Sequence, residues 1–232
     1  MSLWSRISDA IAALAKGEGL SAVFEHLRSP PQQSVAFTIA VIALGAKMAK
    51  ADGQVTRDEV TAFREVFTIS TEDEASAARV FNMARQDVAG FEEYAKRIKA
   101  MFADQREVLH DLLEGLFHIA LADGHYHPKE DDFLDRVRQI FGMPDREFHS
   151  MRAQFVTDHA PDPYDVLGVT PDADFDDIRQ AYKALVRQSH PDNMRARGVP
   201  EEALKLAQSR LVAINNAWDE IKKVQGHAHS HL

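Results

Sequence analysis

His190-Pro191-Asp192 sets an imidazole and a carboxylate on either side of a proline that fixes the backbone between them. These groups can donate and accept hydrogen bonds to a partner. Two side chains at a turn supply neither the ligands of a metal centre nor a pocket, which argues against a metal-dependent hydrolase. Just upstream, Arg179, Lys183 and Arg187 recur every four residues, the spacing that lines up side chains on one helix face. A cationic stripe in a chain of net charge -9 implies an acidic partner surface. A second set of groups is duplicated. Asp52-Gly53 is followed by Glu59, and Asp123-Gly124 by Glu130. The four carboxylates are hard oxygen ligands for Ca²⁺ or Mg²⁺ if they converge. The competing reading is that each Asp and Glu serves the helix ends of its own copy and no metal binds; this is the expected one. His118, His125 and His127 flank the second copy, and His227, His229 and His231 form a tail; solvated histidines explain both.

Helices must position these groups. Ile178, Ala181, Tyr182, Leu185 and Val186 repeat at helical spacing before the His-Pro-Asp trio, as do Leu204, Ala207, Leu211, Ile214, Trp218 and Ile221 after it. Two such stripes are expected to bury against each other as an antiparallel hairpin with His190 to Asp192 at its tip. Asp174 is the expected N-cap of the first, with Asp176 and Asp177 in its first turn. Each Asp-Gly copy is likewise framed by apolar helical runs: Val60, Phe63, Val66 and Phe67 after the first, Phe133, Leu134, Val137 and Ile140 after the second. Gly53 and Gly124 suit the positive φ that ends a helix, and Thr56 or His127-Pro128 can begin the next. Residues 32–155 therefore predict an all-helical bundle with a pseudo-twofold repeat.

Four ordered blocks carry a family resemblance: Tyr164 to Val169, Ile178 to Leu185, His190 to Asp192, and Ile214 to Trp218. Together they resemble the J domain of DnaJ-type co-chaperones. That resemblance implies docking on a heat-shock 70 family chaperone (DnaK in bacteria) and stimulation of its ATP hydrolysis through His190, Pro191 and Asp192. Ser189 and Asn193 depart from the residues common in the family, so Arg195 and Arg197 in the following loop are expected to supply basic charge instead. The duplicated Asp-Gly and Glu segment resembles the TerB family of tellurite-resistance proteins. TerB followed by a J domain is the arrangement of DjlA-type bacterial J proteins.

Composition bounds the rest. The 232 residues suffice for one large or two modest domains, and zero cysteines exclude disulfides, thiolate zinc sites and a thiol nucleophile. The acidic balance argues against nucleic-acid binding. No phosphate loop, dinucleotide fingerprint or nucleophile elbow is present, so no enzyme and no cofactor are expected. Leu3, Trp4, Ile7, Ile11 and Leu14 make residues 2–16 an amphipathic helix that can dock on the next domain, self-associate or lie on a membrane. The apolar run Val35 to Ala46 is too short to span a bilayer, which takes about 20 residues, and reads as a buried helix. No signal peptide is evident, so the expected location is the cytoplasm, with peripheral contact at the inner membrane left open.

The expected layout is an N-terminal helix and connector (1–31), a TerB-like helical domain (32–155), a linker (156–161), a J domain (162–224) and a flexible tail (225–232). The expected function is that of a DnaJ-like co-chaperone whose first domain recruits a client or assembles a homodimer. The alternative is a metal-responsive TerB-like module.

Overall fold

The computed structural model describes residues 33–52, 78, 81–82, 90–121, 124–156, 161–199 and 204–229. The amphipathic helix read at residues 2–16 lies outside them. So do Gly53, the helix read after the first Asp-Gly, Glu59 and Asp123.

α1 (Gln33–Asp52) is apolar on every side through its middle, and burial follows: Ala36 to Met48 are shielded from water, Thr38 and Lys47 included. Among the described helices, three pack on it: α2 (Phe91–Met101), α3 (Arg106–Ala120) and α4 (Pro128–Phe141). α3 is nearly as enclosed, with Leu112, Leu113, Leu116 and Phe117 all at 0% exposure. After α3, Gly124 takes φ 80°, a conformation that costs other residues a Cβ clash. Pro128 then opens α4 at a position where its missing N–H loses nothing. α5 (Asp145–Phe155) closes the bundle by packing on α3.

Short α6 (Pro163–Leu167) begins at Asp162, whose side chain accepts a hydrogen bond from the Tyr164 amide at 2.9 Å. α7 (Phe175–Gln188) follows, then α8 (Pro191–Ala196) and the long α9 (Lys205–His229). Asp174 stands at the N-cap of α7 but makes no side-chain capping bond there; Asp176 and Asp177 supply the acidic first turn. Ile178, Val166, Leu167, Ile214, Ala217 and Ile221 form the core shared by α6, α7 and α9. Tyr182 stacks on Trp218 at 4.8 Å and its hydroxyl pairs with Asn215 at 3.0 Å, closing one end of the hairpin. The described residues are helices and turns only. An all-α chain results.

In one respect the packing differs from the hairpin read in the sequence. Leu204 and Ala207 do not face α7. They join Met194 and Val199 in the core of the first bundle, beside α3. α9 has 25 residues against 14 in α7, so its first turns extend past the partner helix and bury against the apolar surface of the first bundle instead. The polar gap after His190 is also part helix: α8 is anchored by Met194, 2% exposed.

The two helical units meet over buried polar contacts as well. The Ser150 hydroxyl and the Gln154 amide of α5 both donate to the Val166 carbonyl, at 2.8 and 3.0 Å, which occupies a carbonyl near the C-terminal end of α6. No described helix is long and apolar enough to cross a membrane.

Candidate functional site

His190 is the N-cap of α8: its Nδ1 accepts the Asp192 amide at 3.2 Å, so in the neutral ring Nε2 carries the proton and faces away from the helix. Asp192 lies beside it, 3.7 Å from Nδ1, and accepts a hydrogen bond from Arg195 at 2.8 Å. The His190 and Asp192 side chains are 55% and 74% exposed, so the corner is presented to solvent. Behind it the chain is tightly held. Ser189 is fully buried and its hydroxyl donates to the Leu185 carbonyl; the Asn193 amide donates to the Arg187 carbonyl at 2.7 Å. On the approach, Arg179, Lys183 and Arg187 are exposed. Arg179 pairs with Asp176 one turn back at 2.9 Å. Of the six residues of the expected docking set, Arg179, Lys183, Arg187, His190 and Asp192 are exposed and Pro191 is half-buried between the last two.

Arg197 was expected to offer its charge to a partner. It points inward instead. Its guanidinium grips Asp111 of α3 through Nε at 2.9 Å and Nη2 at 3.0 Å, and Nη2 also reaches the Gln188 carbonyl at 3.0 Å. One turn further along α3, Glu114 accepts from Arg210 of α9 at 3.1 Å, with both side chains 1% exposed. These two pairs, with His110, make a charged seam between the units. A cavity of about 640 Å³ opens beside it, with Arg106, Arg146 and Arg187 among its walls.

His110, Asp111 and Glu114 stand close enough for one atom of each to ligate a common cation. Both carboxylates are already held by arginines, whose charges take the place a metal would fill. The duplicated carboxylates read from the sequence are a separate matter. Asp52 sits at the last position of α1, and Glu59 and Asp123 are outside the described residues. Glu130 is in the first turn of α4, where its Oε2 accepts the His127 amide at 2.9 Å. The His125 and His127 rings are 6.4 Å apart in the turn before α4, while His118 is on α3.

Burial pushes the Asp111 carboxyl up to about 7 against the pull of Arg197, and pushes Glu114 up in the same direction. Burial, then the charges of Arg210, Arg197 and Arg106, hold His110 well below the usual imidazole range, so it is neutral. The consequence for stability has a definite sign. Between the ordinary carboxylate value near 3.8 and about 7, the folded chain holds a proton on Asp111 that the unfolded chain releases. Stability therefore rises as pH falls from about 8 through 7, and is lost as the carboxyl ionises above that. Below about 6.5 His110 acts the other way, since only the unfolded chain protonates it, and the gain levels off. Thermal unfolding followed from pH 6.5 to 8.5 should show the decline, and Asp111→Asn should flatten it. An unchanged slope in that variant would remove Asp111 as the cause.

Residues 38–153 match the family described as Tellurite resistance protein TerB, and residues 162–225 match the DnaJ domain. The chain belongs to the TerB family and carries a DnaJ domain. Relatives named co-chaperone protein DjlA match most of it. A co-chaperone protein DjlA of Vibrio parahaemolyticus is 28% identical over 85% of this chain and 81% of its own length. The DjlA of Photobacterium profundum is 25% identical over 91% of this chain and 86% of its own. That of Coxiella burnetii is 28% identical over 85% and 81%. No solved structure matches the chain. Within the DnaJ domain, the His-Pro-Asp corner and the α7 ridge are where the sequence blocks put them. The brace from α3 of the TerB domain had no warning in the motifs, because its two halves lie 86 and 96 residues apart. One signal was present: Asp111 and Glu114 interrupt a run, Val108 to Phe117, that is otherwise almost wholly apolar.

Proposed function

We propose that this chain is a DnaJ-like co-chaperone that docks on a DnaK-type chaperone through α7 and the His190 to Asp192 corner and stimulates its ATP hydrolysis. The TerB domain serves to bring a client, or a second copy of the chain, to that chaperone. The reading is supported above all by the exposed corner, hydrogen-bonded from behind through Ser189 and Asn193 and preceded by Arg179, Lys183 and Arg187 at four-residue spacing on α7. Relatives named as co-chaperones that match most of the chain support it as well. The bond being broken belongs to the partner. This chain contributes a difference in binding between two states of it, and that difference biases the partner toward hydrolysis. The cationic ridge meets an acidic surface and speeds encounter, so stimulation falls as salt rises.

Steady-state ATP hydrolysis by DnaK with added chain tests this. Wild type should stimulate turnover, and His190→Gln should lose about tenfold or more of that stimulation. Gln keeps a polar side chain of similar reach but lacks the imidazole at the α8 cap. Equal stimulation by the two proteins overturns the proposal.

A further inference from the structure

We infer that Asp111 of the TerB domain is a positioning residue for the J-domain corner: through Arg197 it holds the His190 to Asp192 tip in its docking shape. The inference rests on the function proposed above and adds to it a part for the first domain that is neither client capture nor assembly.

Three observations carry it. The Arg197 guanidinium bonds at once to both Asp111 oxygens and to the Gln188 carbonyl. Gln188 is two residues before His190 and Arg197 is seven after it, so one planar group pins both ends of the corner to α3. A bidentate arginine–carboxylate pair fixes direction as well as distance. Second, the segment between these pins is anchored by Met194, and Val199 follows it into the same core as α3. Third, His190 and Asp192 stay well exposed, so the brace does not cover the tip. A contact that hid them would be inhibitory. This one leaves them open and reduces the number of shapes the corner can take.

A corner that is ordered before binding loses less freedom on docking, so its apparent affinity is higher by the inverse of the competent fraction. Loosening the brace should therefore raise the concentration needed, not lower the effect at saturation. The test is ATPase stimulation of DnaK by the full chain at pH 8, where Asp111 is charged, over a concentration series. Asp111→Asn should raise the half-maximal concentration by about five- to tenfold, leave maximal stimulation unchanged, and speed amide exchange in residues 189–199. Arg197→Lys, which keeps the charge and loses the fork, should shift it in the same direction while urea unfolding confirms both variants are folded.

A half-maximal concentration equal to wild type in both folded variants overturns the inference and leaves the proposed function standing. So does a fall in that concentration, which would mark the brace as inhibitory, or a loss of maximal stimulation alone. If wild type itself gives no stimulation, the function is what has failed.

Discussion

Arg210→Met is expected to destabilise the folded chain by about 3–5 kcal/mol at pH 8, because it leaves the Glu114 carboxylate buried without its counter-charge. Few substitutions in the molecule should cost more. Both partners are 1% exposed, so water cannot replace the lost guanidinium without opening the seam. Glu114 is pushed toward its neutral form by burial, with the Arg210 charge the largest opposing influence. Removing Arg210 lets burial act unopposed by that charge, so the penalty should shrink as pH is lowered. The pair itself is imperfectly satisfied: among the described residues, Glu114 Oε1 and Arg210 Nε and Nη2 have no hydrogen-bond partner. The double change Glu114→Leu with Arg210→Met should consequently recover most of the loss, and replacement of buried ion pairs by apolar residues can add about 1–4 kcal/mol. Urea unfolding of the two single variants and the double variant measures this. A double variant no more stable than Arg210→Met would show that the seam contributes by something other than charge compensation.

Phe117→Ala should cost about 3–5 kcal/mol, the usual range for emptying an aromatic site in a packed core. Phe117 is fully buried on α3 and is the hub of an aromatic cluster. Its ring centroid lies 5.4 Å from Phe148, 5.9 Å from Phe155 and 5.8 Å from Tyr126, joining α3, α5 and the turn before α4. The Tyr126 hydroxyl donates to Asp131 at 2.8 Å, which holds that turn against α4 and limits how far the cluster can collapse into a void. A cavity that cannot collapse keeps its full cost. Phe117→Leu, which refills most of the volume, should lose far less. A shift in urea midpoint for Phe117→Ala no larger than for Phe117→Leu would mean that the site relaxes freely.

Glu114 and Phe117 both lie on α3, which packs on α1, α4, α5 and α9. Its apolar residues face α1, α4 and α5, and its polar pair binds Arg197 at the end of α8 and Arg210 of α9. The TerB and J units therefore share a core and a charged seam. Stability of one is coupled to the position of the other, and the J-domain corner is the surface where that coupling meets solvent.

Much of this could be read from residue order. Helical spacing in Ile178 to Val186, the punctuation at Gly124 and Pro128, and the apolar run from Val35 to Ala46 specify local structure, because each is a contest settled within a few residues. The position of the exposed tip was legible too, as a polar proline-containing gap between two apolar stripes, whereas the short helix α8 that begins there was not. The duplicated Asp-Gly segments and the four J blocks were enough to name both domains. Three-dimensional packing alone decided where Arg197 and Arg210 would go. A charged residue in a helix or loop has no periodicity that separates a solvated face from a buried ion pair, and its partners here are far away along the chain. Leu204 and Ala207 carry the same lesson. Their helical spacing showed that they would be buried, but the surface that buries them was set by the length of α9 and the nearness of α3.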